Sequence, residues 1–284
     1  MKNCPYCGDA GYFYFRVFSR IYHRCPRCDL IYKESQDSYD KILTHYREDY
    51  FGRYYFDQAE AIRNRLFNHI LHLIEENRGI GRVLDVGTGC GFFLVAAKKR
   101  GWEAKGIEPS KQSVEMAKRK YGLDVFDGTL QEYDGNGQFD VITFINVLEH
   151  SAEPWKEIDR ARNLLKPGGL IFIRFPNGFL HTQIYRLALK FRLVNLVRKF
   201  LVFHQFCFTP KFVRRFLSDW NFSRIAILNS PPSEGDPHKL FYLPTLAQFI
   251  KRSFHMMAKT FEVISVRKIL LGTSLEVMAV KKAS

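Results

Sequence analysis

The stretch Val83-Leu84-Asp85-Val86-Gly87-Thr88-Gly89-Cys90-Gly91-Phe92-Phe93 constrains the fold of this chain more than any other. A short apolar run suited to a buried parallel strand ends in an acid followed by glycine at every second position. Apolar periodicity resumes through Phe93, Leu94, Ala96 and Ala97 and closes on Lys98-Lys99-Arg100 with Gly101 behind it, the mark of a helix C-terminus. The glycines therefore lie between a strand and a helix. Only glycine permits the tight turn and close backbone approach that a nucleotide-like ligand requires there. Residues 103–107 read as the next strand, and Glu108 at its end is placed to accept hydrogen bonds from a ribose diol.

Strand and helix alternate onward. Strands are expected near 82–86, 103–107, 124–126, 139–145 and 169–175, with helices near 91–100, 110–121 and 153–165. This spacing predicts an α/β fold, a doubly wound, mostly parallel sheet with helices on both faces. A helix over 210–220 and strands over 223–228 and 274–280 extend it. Upstream, Ile42, Tyr46, Ala59, Ile62, Leu66, Ile70 and Leu73 have helical spacing, which makes 36–78 a helical cap or linker, packed beneath the sheet edge or beside a ligand. Two segments, about 178–208 and 231–271, lie outside this plan.

Cys4-Pro5-Tyr6-Cys7-Gly8 and Cys25-Pro26-Arg27-Cys28-Asp29 are two Cys-x-x-Cys knuckles with 17 residues between them. Four thiolates at this spacing can close tetrahedrally around zinc, two from each tight turn. Tyr12 to Phe15 and Ile21-Tyr22 fit the strands of a ribbon hairpin, so residues 1–35 read as a zinc ribbon. Disulfides are the competing reading; a reducing compartment would disfavour them. With Cys4, Cys7, Cys25 and Cys28 all engaged, the zinc has no open position and is structural.

Asp85-x-Gly87-x-Gly89-x-Gly91 with Glu108 resembles the class I S-adenosylmethionine-dependent methyltransferases. The resemblance continues through Phe139-Asp140-Val141-Ile142-Thr143-Phe144, Asn146-Val147-Leu148-Glu149-His150 and Leu164-Leu165-Lys166-Pro167-Gly168-Gly169. It implies a seven-stranded Rossmann-like methyltransferase domain over 79–284 whose last strand runs antiparallel, with basic helical insertions at 178–208 and 231–271. It further implies that Asp85, Gly87, Thr88, Gly89 and Gly91 form the loop along the methionyl part of S-adenosylmethionine. Glu108 would sit on the ribose with Pro109 beside it, Gly128, Thr129 and Leu130 beside the adenine, and Asn146 and Val147 at the end of the fourth strand. A carboxylate often fills the place of Thr129, so backbone groups are expected to read the adenine. The ribbon together with Leu30-Ile31-Tyr32 and Tyr46/Tyr50-Phe51 is similar to zinc-ribbon-fused methyltransferases, whose catalytic half resembles quinone-biosynthesis O-methyltransferases. Tyr46 and Tyr50 would then face ligand.

His150 is the leading base, since an imidazole of near-neutral pKa suits proton removal from a hydroxyl. His204, in His204-Gln205-Phe206-Cys207-Phe208-Thr209-Pro210, resembles a histidine of the same subgroup and is the second catalytic candidate. The similar quinone enzymes carry a Glu-x-x-Glu-His cluster thought to hold a divalent cation with a later Asn. Glu149, His150 and Asn177 match it, but Asn146 replaces the first Glu, and a hard cation prefers carboxylates. The substitution weakens such a site, and the residues alone leave open whether a divalent cation sits near Glu149 and His150.

Of a net charge of +14, residues 178–284 carry 17 basic and 5 acidic side chains, and no acid occurs between Asp159 and Asp219. Such a surface can meet an anionic small-molecule or lipid-linked acceptor, or the face of an anionic membrane. It can also be a solvated rim on capping helices. The cations of 186–199 would spread around one long helix, so two short helices fit better. No apolar run reaches the ~18 residues of a membrane span. The N-terminus lacks a signal-peptide core, pointing to a cytoplasmic, membrane-peripheral protein. O- or C-methylation of a small or lipid- or sugar-linked acceptor is the leading reading. RNA methylation is the alternative, disfavoured by a nearly neutral ribbon, and a non-catalytic ligand-binding adaptor is the third.

Overall fold

The computed structural model describes residues 2–48, 60–135, 138–197, 200–232 and 244–283. The chain opens with β1 (Lys2–Asn3), β2 (Ala10–Val17), β3 (Arg20–Arg24) and β4 (Ile31–Lys33), followed by α1 (Tyr39–Glu48) and α2 (Glu60–Arg78). Next come β5 (Arg82–Val86), α3 (Phe92–Lys99), β6 (Glu103–Glu108), α4 (Lys111–Tyr121), β7 (Asp124–Asp127), β8 (Phe139–Ile145), α5 (Pro154–Leu164) and β9 (Leu165–Pro176). A first excursion holds α6 (Gly178–Lys190) and α7 (Val194–Val197) and ends in β10 (Phe206–Cys207). Then α8 (Pro210–Asp219) and β11 (Phe222–Asn229) lead to a second excursion, with α9 (Pro244–Ile264), before β12 (Ser274–Lys281).

Seven strands form the main sheet in the order β7-β6-β5-β8-β9-β12-β11, with β12 antiparallel to both neighbours. This is the Rossmann-like methyltransferase sheet expected above. Val83, Leu84, Val141, Ile142 and Phe144 are buried because the central strands are covered by helices on both faces. Local chemistry sets the helix starts. Ser110, Asn177 and Thr209 each accept a backbone N–H of the first turn, and Pro210 fills the first position of α8. β9 begins four residues before the expected 169, because Leu165 already pairs with Phe139 and the register shifts across Asp140 to absorb the Lys-Pro-Gly-Gly turn. The first excursion does break into two helices, at Arg192, whose φ is +58°.

The ribbon does not stand apart. β10 pairs antiparallel with β4, Phe206 opposite Tyr32 and Cys207 opposite Ile31, so β1-β2-β3-β4-β10 is one five-stranded sheet. Phe206, Phe208, Phe212 and Phe216 stack in nearly parallel steps of 6.1, 5.6 and 5.3 Å, and Tyr6 of the first knuckle meets two of them edge-on. Cys4, Cys25, Cys28, Leu30 and Tyr32 thereby share the core of the catalytic half. Thr209 fastens the joint: its hydroxyl caps α8 and donates to Asp29 Oδ2 at 2.8 Å. Thr209→Val is expected to destabilise the protein by about 1–3 kcal/mol in urea unfolding, through the lost cap and the lost hydrogen bond to the buried Asp29 Oδ2. Ribbon and catalytic half should unfold together, and an unchanged midpoint would contradict this.

Candidate cofactor and acceptor site

The glycine loop is shaped by backbone need. Gly87 has φ +69°, and a Cβ there would stand 2.6 Å from Val147 Cγ2. Gly89, at φ +57°, donates its N–H to Glu108 Oε2 at 2.8 Å, and Ser110 N–H donates to Oε1 at 2.9 Å. Behind the loop, Asp85 accepts the hydroxyl of Thr143 at 2.6 Å. Burial pushes both Asp85 and Glu108 up to about 7.

A cavity of about 790 Å³ opens above the carboxyl ends of β5, β6 and β8, where such sheets bind ligands. Gly87, Glu108, Pro109, Gly128, Thr129, Leu130, Asn146, Val147 and His150 share its wall. Asp85, Thr88, Gly89 and Gly91 stand behind the wall and shape it. Thr129 departs from expectation. Its N–H donates to Glu132 Oε2 at 2.7 Å and its hydroxyl accepts the Glu132 N–H, a capping box that takes the backbone donor expected to read adenine.

The roof is α1. Tyr39, Ile42, Leu43 and Tyr46 recur at helical spacing and face the cavity, so no residue of this helix is buried in protein. Tyr39 hydroxyl to Thr129 Oγ1 at 3.2 Å and Arg47 to Glu132 at 3.3 Å clasp the roof to the loop after β7. Packing against the sheet falls instead to α2, through Leu66, Phe67, Ile70 and Ile74. Tyr50 lies outside the described residues.

His150 and His204 meet at 4.2 Å between ring centroids, and Tyr46 stands edge-on to His150 at 6.4 Å. Each ring keeps a partly exposed edge, yet its surroundings withdraw enough water to lower His150 to about 4. His204 falls to about 3, by burial first and then by His150. The near-neutral His150 expected from sequence is therefore replaced by a pair of uncharged imidazoles. Beside them Glu149 is buried with neither oxygen hydrogen-bonded, and burial pushes it up to about 8.

Of the residues that match the cation cluster of the similar quinone enzymes, Asn177 and Asn146 are engaged elsewhere. Asn177 caps α6 and gives its amide hydrogens to the carbonyls of Leu270 and Gly272. Asn146, at φ +57°, accepts from the Arg174 guanidinium at 2.7 Å. Arg174, buried on β9 and held also by Ser230, was hidden from sequence reading inside an apolar strand. Glu149, His150 and His204 do bring donor atoms within 4.8 Å of one another.

Cys4, Cys7, Cys25 and Cys28 lie within the same 4.8 Å limit, with Cys4–Cys28 and Cys7–Cys25 sulfurs 3.6 and 3.5 Å apart. Tetrahedral Zn–S bonds of ~2.3 Å require sulfur separations of about 3.8 Å, so this donor set fits zinc. Gly8 and Asp29 occupy equivalent left-handed positions after the two knuckles, at φ +74° and +70°. Asp29 sustains that conformation through Arg24 and Thr209.

Residues 51–226 match the sequence profile of the methyltransferase domain family. The chain belongs to this family. It is 34% identical over 117 residues to the ubiquinone biosynthesis O-methyltransferase of Bordetella avium, covering 36% of this chain and 47% of that protein. With the enzyme of the same description from Pseudomonas aeruginosa it shares 32% identity over 147 residues, 45% of this chain and 62% of the other. It thus spans roughly half to three-fifths of these relatives. Among solved structures, the Burkholderia thailandensis 1,6-didemethyltoxoflavin-N1-methyltransferase aligns over 96% of this chain and 99% of its own, at TM-score 0.57 and 13% identity. The Haemonchus contortus phosphoethanolamine N-methyltransferase 2, in complex with S-adenosyl-L-methionine, covers 89% and 62% at 0.55 and 16%. At these identities the structures establish the fold.

The buried acids give the protein a pH signature. His150 and His204, being lowered, weaken the fold only below the unfolded histidine value of ~6.5. Asp85, Glu108 and Glu149, being raised, leave the native chain holding protons that the unfolded chain has released. Their stabilisation is therefore lost as pH rises through about 7 and 8. The cofactor-free protein should show a falling Tm between pH 6.5 and 8.5, flattened by Glu149→Gln. A Tm that stays level or rises across that interval would contradict buried neutral carboxyls.

Proposed function

We propose that the protein is an S-adenosylmethionine-dependent methyltransferase acting on a hydroxyl or similarly acidic position of a small-molecule or lipid-linked acceptor. The observation that carries this reading is the pair of uncharged, touching imidazoles at the end of a cavity framed by the glycine loop and Glu108. S-adenosylmethionine supplies an already activated methyl on its sulfonium. The protein's work is then to align the acceptor and remove its proton. Glu108 is oriented by two backbone donors to receive ribose hydroxyls, and Gly87 lines the cavity on the side where the methionyl end would lie. His150 is unprotonated at physiological pH and can take the acceptor proton. A weak base suffices, because an oxygen that is gaining a methyl becomes strongly acidic. His204 receives or shares that proton through its contact with His150. The similarity to ubiquinone biosynthesis O-methyltransferases supports an oxygen acceptor. The ribbon, in this reading, holds a structural zinc.

Profiling with labelled S-adenosylmethionine against lipid, quinone, sugar-nucleotide and RNA pools should reveal the acceptor class. With that acceptor, His150→Asn should lower kcat by about 10²–10⁴-fold, while calorimetry shows unchanged cofactor affinity. Gly89→Arg should abolish cofactor binding. Full turnover in His150→Asn would remove the assigned base, and cofactor binding without transfer to any pool would favour a non-catalytic adaptor.

One equivalent of zinc should copurify. Cys25→Ser or chelation should lower the stability of the whole chain, since three of the four ligands lie in the shared core. Metal content near zero in fresh protein would overturn the zinc assignment.

A further inference from the structure

Helix α9 is attached to the fold by its polar side. Glu262 accepts the Asn229 N–H at 2.7 Å, and Asn229 Nδ2 donates to the Ala258 carbonyl at 2.9 Å. Ala258 and Glu262, four residues apart, are the buried residues of the helix from Phe249 onward. The opposite face carries Phe249, Met256, Met257 and Ile264, at seven- and eight-residue spacing. They point to solvent at 68, 69, 43 and 75% exposure. An amphipathic helix ordinarily turns its apolar stripe to the core. This one is reversed.

The first excursion has the same character. From Arg186 to Val197, Leu187, Leu189, Phe191, Leu193 and Leu196 are exposed among Arg186, Lys190 and Arg192. Both excursions leave the sheet at one place. α6 starts directly after β9 ends at Pro176, and α9 returns to β12 at Ser274, the residue paired with Pro176. Asn177 and His181 of α6 bind the carbonyls of Leu270, Gly272 and Thr273 on that return. This is the carboxyl edge of the sheet, where the cofactor cavity opens.

We propose that this edge docks on an anionic lipid bilayer, with the stripe of α9 and the arm at 186–197 entering the interface and their cations meeting headgroup phosphates. Docking is independent of the acceptor reading above. Charge decides the occupant. With no acid from 160 to 218, a second copy seated symmetrically on this surface would set cations against cations. RNA would leave the Phe, Met and Ile stripe in water, since such interfaces are polar and wet. Among the described residues no helix is long and apolar enough to cross a membrane, so contact is from one side.

The test is sedimentation of the full chain with vesicles of phosphatidylcholine alone or mixed with phosphatidylglycerol. Wild type should partition at least roughly tenfold better onto the anionic vesicles, and added salt should weaken it. Met256→Glu/Ile264→Glu and Lys190→Glu/Lys268→Glu replace exposed side chains, so fold and cofactor affinity should persist. Each should lower partitioning by roughly tenfold or more. Failure of wild type to bind anionic vesicles, or undiminished binding by both variants, would overturn the proposal. So would a wild-type dimer that Met256→Glu/Ile264→Glu converts to monomer, or tighter retention on RNA than on vesicles.

Discussion

The pairing of Phe206-Cys207 with Ile31-Tyr32 sets the position of His204, and through it the character of the site. Ribbon and linker groups hold the loop leading into β10. Tyr22 hydroxyl donates to the His204 carbonyl at 3.1 Å. Lys33 N–H donates to the Gln205 carbonyl at 2.9 Å, and Asp37 N–H donates to Gln205 Oε1 at 2.6 Å. Gln205 in turn reaches the Ser151 carbonyl, next to His150, at 3.4 Å. The ribbon is thus a positioning element for a histidine 4.2 Å from the cavity's own. Sharing a core makes the two halves one cooperative object.

A second constraint is electrostatic. Asp85, Glu108, Glu149 and Arg174 are all buried around one cavity. Uncompensated charges there would be costly, and the structure meets that cost differently at each position. Glu108 is cradled by two backbone donors, Asp85 by one hydroxyl, and Glu149 by no hydrogen bond at all. Arg174 is the counterweight, bonded to Asn146 and to Ser230, which donates to Glu276.

The glycine loop, Glu108 and the cysteine knuckles were legible because each is local: spacing of a few residues dictates a turn, a cap or a ligand pair. The roof was half legible. Ile42 and Tyr46 showed helical periodicity, but periodicity alone does not say whether an apolar stripe faces protein or ligand, and α1 faces the cavity. What escaped was non-local. Nothing within Phe206-Cys207 announces a partner strand 174 residues upstream. Arg174 sits in a run of apolar residues whose pattern demands a buried strand, and only the fold shows what neutralises it. Thr129 misled because its partner Glu132 was not weighed as a cap.

The reversed polarity of α9 follows from how the last strand is inserted. Because β12 runs antiparallel between β9 and β11, the chain must come back to the carboxyl edge of the sheet before entering it, and α9 lies on that return. The face turned toward the sheet meets strand ends, where backbone donors and Asn229 await partners. Glu262 and the Ala258 carbonyl satisfy them, and an apolar face there would leave them unpaired. The apolar stripe is consequently forced outward, and a soluble surface would select against it unless something apolar meets it. Retaining Phe249, Met256 and Ile264 there, on the same edge as an arm with exposed leucines and cations, keeps the apolar stripe on the surface proposed to dock on lipid.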